Sequence, residues 1–90
     1  MNNYFDKKLG SILKEYRKSN NLSLQDVADK IGVTRQMVFV YESGKTPLTV
    51  TQLIKICDIY GIDYVTVLKQ VQIEMAKLWF AKIKSVALGM

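Results

Sequence analysis

Residues Ser23 to Ser43 read SLQDVADKIGVTRQMVFVYES, and this stretch decides the fold. Ser23 with Asp26 three residues later is a reciprocal cap. The hydroxyl accepts an orphan backbone N–H of the first turn while the carboxylate accepts the N–H of the cap residue. Val27, Ala28 and Ile31 then give the helix one buried face, and Gly32 ends it, because a residue without Cβ takes the left-handed conformation at a helix stop. Thr34 caps a second helix at once; Val38 and Tyr41 face inward and Gly44 closes it. Two helices separated by Gly32, Val33 and a cap have no room to run antiparallel, so they must cross steeply. Ala28 suits that crossing, since a larger side chain would push the second helix away.

Working outward, the same punctuation divides the rest of the chain. From about Asp6 to Ser19, Leu9, Leu13 and Tyr16 recur at spacings of four and three with Ile12 beside them, which predicts an amphipathic helix. Asn20-Asn21 is a turn, since asparagine tolerates the left-handed conformation. Thr49 with Gln52 three on predicts a second reciprocal cap, on a helix that buries Leu53, Ile56 and Ile59 or Tyr60 before Gly61. Cys57 lies on that face as a small buried hydrophobe. Asp63 opens a fifth helix with no breaker before about Leu88, roughly 35–40 Å long. No alternation or hairpin signal competes, so the fold class is all-α, five helices with an extended C-terminal one.

Composition bounds the function. Ninety residues make one modest core, and 49% hydrophobic with 23% charged residues is an ordinary globular balance. A net charge of +5 leans toward a polyanion. It is not gathered on the central helices. Residues 1–63 hold nine basic and seven acidic groups, a net of +2, and residues 64–90 four and one, a net of +3. Without histidine, and with Cys57 the one cysteine, the usual zinc spacings and the Ser/His and Cys/His nucleophile pairs are impossible. No metal, cofactor or enzymatic activity is expected. The N-terminus does not read as a secretion signal, and no run reaches the length of a membrane span. A cytoplasmic protein with no membrane partner is the expectation.

The steeply crossed pair is a helix-turn-helix. Over about Leu9 to Leu68 the chain resembles the XRE family, the Cro and lambda-repressor-like DNA-binding proteins. Leu9-Gly10, Leu13 and Tyr16-Arg17 resemble that family's first helix; Leu22-Ser23, Val27-Ala28 and Ile31-Gly32 its second; and Tyr41-Glu42-Ser43-Gly44-Lys45 the end of its third. Leu53, Ile56, Tyr60-Gly61-Ile62 and Val67-Leu68 continue the match.

The resemblance implies double-stranded DNA as the partner, with the third helix, about Thr34 to Ser43, in the major groove. Arg35 then suits guanine O6 and N7, and Gln36 an adenine edge. Thr34, Ser43, Lys45 and Thr46 flank the reading helix and suit phosphates, as do Ser23 and Gln25 at the start of the second helix. Arg17 and Glu42 match positions that the family uses for a structural ion pair. Three residues depart from the pattern: Leu24, Phe39 and Val40 make the surface greasier. Phe39 either packs on thymine methyl groups or meets a protein.

The pattern ends near Leu68, which divides the chain into residues 1–68, the DNA-binding domain, and residues 69–90, an amphipathic helix. Leu68, Val71, Met75, Leu78, Trp79, Ile83 and Val86 form one stripe, interrupted by Lys82 and widened by Ile73 and Phe80. So wide a stripe wants a partner, and a second copy is the common one. The expectation is a homodimeric repressor on a palindromic operator. The competing reading is an antitoxin-like or adaptor module whose long helix binds a different, additional protein. Packing back on the same domain, or a membrane surface, are further fates of the stripe.

Overall fold

A computed structural model describes the chain over residues 4–88, with side chains as far as residue 83. Five helices follow one another: α1 (Tyr4–Ser19), α2 (Leu24–Ile31), α3 (Arg35–Ser43), α4 (Val50–Tyr60) and α5 (Tyr64–Leu88). Among the described residues there is no strand, and the all-α reading holds.

The local signals act as the sequence requires. The Ser23 hydroxyl accepts from the Asp26 N–H at 3.0 Å, and the Asp26 carboxylate accepts from the Ser23 N–H at 2.8 Å. Thr34 caps α3 by accepting from Met37 N–H at 3.1 Å. The glycines that end α2, α3 and α4 have φ of 73, 77 and 67°, and Asn21 turns the chain out of α1 at φ 57°. Two expectations change. The first helix begins two residues earlier than Asp6, at Tyr4. The cap at Thr49 is one-sided: its hydroxyl accepts from Gln52 N–H at 3.1 Å, but the Gln52 side chain is turned inward, with its Oε1 buried and unpartnered.

One core forms from all five helices. Leu9 and Leu13 of α1, Val27, Ala28 and Ile31 of α2, Val38 of α3, Leu53, Ile56, Cys57 and Tyr60 of α4, and Val67 and Val71 of α5 are buried together. Burial pushes the Cys57 thiol up to about 11, so it stays protonated and unreactive at neutral pH. Leu24, read as surface grease, is half-buried and packs on this core. The boundary at Leu68 also falls inside the body. Val71 is fully buried, the Gln70 amide donates to the Tyr16 hydroxyl at 2.9 Å, and Glu74 meets Lys8 at 3.8 Å. Leu68 is packed against the core and Val71 is part of it, so Val71 is not available to a second copy.

Beyond Glu74 the helix leaves the body. Met75, Leu78, Trp79, Phe80 and Ile83 are all exposed, Trp79 at 63% and Phe80 at 73%. Val86 and Lys84 lie outside the residues whose side chains are described. None of the described helices is long and apolar enough to cross a membrane.

The closest packing is between α1 and the end of α3. A Cβ at Gly10 would lie against the carbonyl oxygens of Glu42 and Tyr41, the latter at 2.5 Å, and backbone cannot yield as a side-chain tip can. Gly10→Ala is therefore expected to lower unfolding free energy by about 1–3 kcal/mol, measured by urea denaturation; an unchanged midpoint would contradict the contact.

Candidate nucleic-acid interface

The orientation of α3 follows from which of its residues are hidden. Val38 is 1% exposed, Tyr41 packs on the core and the Glu42 side chain is 7% exposed. At 100° per residue the opposite face carries Gln36, Val40 and Ser43, with Phe39 on one flank and Met37 on the other. Arg35 projects from the first turn. Arg35 and Gln36 are exposed, as is Phe39 at 47%. This arrangement presents one bidentate donor and one amide, side by side, at the free N-terminal end of α3.

The phosphate candidates divide into two groups. Thr34, Lys45 and Thr46 are exposed at the two ends of α3. Thr34 keeps its hydroxyl proton for an outside acceptor, because its oxygen serves the cap by accepting. The other three already serve the fold. Ser43 is half-buried and its hydroxyl donates to the Val40 carbonyl at 2.9 Å. Ser23 belongs to the capping box, and the Gln25 amide donates to Asp29 at 2.8 Å. The Ser23 backbone N–H and hydroxyl hold the Asp26 carboxyl below its ordinary range, so it is ionised at neutral pH. Asp26 is exposed in the first turn, and a phosphate at the start of α2 would face its carboxylate.

One basic residue reaches this region unannounced by the sequence. The backbone of Lys7 lies beside Gly44, so close that a Cβ there would be 2.6 Å from the Lys7 Cα. The exposed Lys7 thus comes to the end of α3 that carries Lys45. The two are far apart in the chain, and no local pattern joins them.

Behind the outward face, Arg17 and Glu42 are locked together. Arg17 Nε donates to Glu42 Oε2 at 2.7 Å and a terminal nitrogen to Oε1 at 3.1 Å, while the other donates to the Leu22 carbonyl at 2.8 Å. Their side chains are 10% and 7% exposed. The hydrogen bond to Glu42 outweighs burial and raises the Arg17 pKa above its ordinary value, so the guanidinium stays charged. Among the described residues no group of His, Cys, Asp and Glu is placed to hold a metal ion.

Residues 13–66 match the helix-turn-helix family model, the XRE type that the sequence resembles. The chain belongs to that helix-turn-helix family of DNA-binding proteins. It is 38% identical over 50 residues to an uncharacterised HTH-type transcriptional regulator of Methanocaldococcus jannaschii, covering 56% of this chain and 76% of that protein. Two crystal structures of the clp gene regulator ClgR from Corynebacterium glutamicum share the fold. One has a TM-score of 0.71 at 18% identity, over 92% of this chain and 93% of the other. The second has 0.72 at 21%, over 79% and 92%.

Within this helix-turn-helix, the Arg17 to Glu42 pair ties the end of α3 to α1. Glu42→Ala would strand a buried guanidinium and is expected to cost about 3–5 kcal/mol, read as a fall in the urea midpoint. The double variant Arg17→Met with Glu42→Leu should recover part of that loss; a double variant as unstable as the sum of the singles would sink the pairing.

Proposed function

We propose that this helix-turn-helix protein is a sequence-specific transcriptional regulator that acts in the cytoplasm as a homodimer, and represses by occupying a palindromic operator. The carrying observation is the outward face of α3, which leaves Arg35 and Gln36 exposed between Thr34 at one end and Lys45 and Thr46 at the other. Arg35 takes a guanine, Gln36 an adenine, and Phe39 lies beside them in the groove. Thr34, Lys45 and Thr46, joined by Lys7, hold phosphates and set register. The name of the Methanocaldococcus relative supports the regulatory role.

The dimer rests on α5. Ile73, Met75, Leu78, Trp79, Phe80 and Ile83 are 38–73% exposed, more contiguous apolar surface than a monomer normally leaves in water. Two copies joined there would set their reading helices about 34 Å apart, one duplex turn. The same surface favours the second reading, in which the partner of α5 is a different protein, as in an antitoxin-like or adaptor module.

Selection from a random duplex pool tests the DNA reading. A palindrome with half-site centres about ten base pairs apart is expected; no enrichment at low salt would end the proposal. On the selected duplex, Arg35→Ala should relax one position at about 1–3 kcal/mol, whereas Lys45→Ala should weaken all sequences alike and shrink the salt slope by about one.

Removing the chain after Leu68 would also delete the buried Val71, so point changes test the pairing. Trp79→Glu with Phe80→Glu should halve the solution mass while the melting temperature holds. A wild-type chain that sediments as a monomer would refute the dimer.

A further inference from the structure

Gln36, Phe39 and Val40 stand at spacings of three and four, so they are neighbours on the surface of α3. Phe39 is 47% exposed and Val40 partly exposed. Neither is among the side chains packed on the core, whose outer layer does include Tyr41, Val33 and Leu24. Met37, 37% exposed, widens the patch on the far flank. An apolar patch in the middle of a reading helix has no use for phosphates or for base-edge donors. Charge around it fits a duplex rather than an apolar protein surface: Arg35 stands at one end and Lys45 with Lys7 at the other.

The major-groove edge of DNA offers one apolar group, the methyl on C5 of thymine. We infer that Phe39 and Val40 form a seat for a C5 methyl group, next to the adenine that Gln36 reads, so each half-site carries an A·T pair recognised by its methyl. The inference rests on the DNA reading above and adds what the apolar centre of α3 recognises. It carries a consequence of its own. Since 5-methylcytosine holds its methyl at the same C5 position, the seat responds to cytosine methylation at that place.

The test uses the full chain and a duplex chosen by selection. Thymidine is replaced by deoxyuridine one position at a time, which removes the methyl and leaves every hydrogen-bonding edge intact. At one or two positions per half-site, affinity should fall about fourfold, the effect of one buried methyl-sized group at about 0.8 kcal/mol. In Phe39→Ala, whose residue lies outside the core, that fall should vanish. Cytosine at the sensitive position should bind tighter when C5-methylated. Uracil tolerated everywhere by the wild type, or the same loss in Phe39→Ala, overturns the methyl seat and hands Phe39 to a protein partner. A wild type that binds no duplex at low salt instead overturns the DNA reading itself.

Discussion

Arg17 is nearly out of water, and its guanidinium donates three hydrogen bonds to two parts of the fold. It holds both carboxylate oxygens of Glu42 at the end of α3, and the Leu22 carbonyl in the turn that leads into α2. A charge so placed is tolerable when its donors are matched, and very costly when one partner leaves. The two helices of the reading unit are thereby tied to a third element. Gly10 supplies the complementary constraint, since with no Cβ it lets α1 lie directly on the carbonyls of Tyr41 and Glu42. Attraction through the ion pair and contact through the glycine fix the same junction. The attitude of α3 is set from behind, and Gln36, Phe39 and Val40 on its outer side are left outside the core packing.

That division explains why the proposed recognition surface is so small. Val38, Tyr41 and Glu42 serve the core side, and what remains facing outward is Arg35, Gln36 and an apolar centre. In the proposed DNA reading, phosphate contacts come from the margins, where Thr34, Lys45, Thr46 and Lys7 are exposed. The start of α2 contributes little positive potential, because Asp26 stands in its first turn and is held ionised by its own cap. With a net of +2 over residues 1–63, this part of the chain exerts only weak general attraction on a polyanion.

Much of this was legible in the sequence because the signals are local. A serine and an aspartate three apart make a cap wherever they stand, and Gly32 or Asn21 turns the chain by its own conformational freedom. The exceptions share one cause: periodicity identifies a face but not what covers it. Leu24 looked like exposed grease, yet as the first residue of α2 it folds onto the core. Gln52 had the spacing of a reciprocal cap, yet its side chain is drawn inward. Lys7 carried no signal, since its approach to Gly44 depends on how α1 lies across the end of α3. The sequence could place Phe39 and Val40 on the reading helix. Only the burial of Val38 and Glu42 says which way they point.

The long helix shows the same limit most clearly. A single stripe from Leu68 to Val86 treats all of its members as covered by one partner, but over the described side chains, to Ile83, the apolar surface rotates along α5. Up to Val71 it faces the body, through Val67 and Val71, both 0% exposed. Continued onward at 100° per residue, that line would pass between Leu78 and Lys82, and a lysine is a poor residue to bury there. The apolar arc lies instead around Trp79, about 80° away from Val71, with Met75 and Ile83 on either side of it. A helix changes its apolar face when the element that covers it changes. The turn comes at about Glu74, which still meets Lys8 of α1, and beyond it Met75, Leu78, Trp79, Phe80 and Ile83 are exposed, so the distal apolar surface points away from the line that Val67 and Val71 bury.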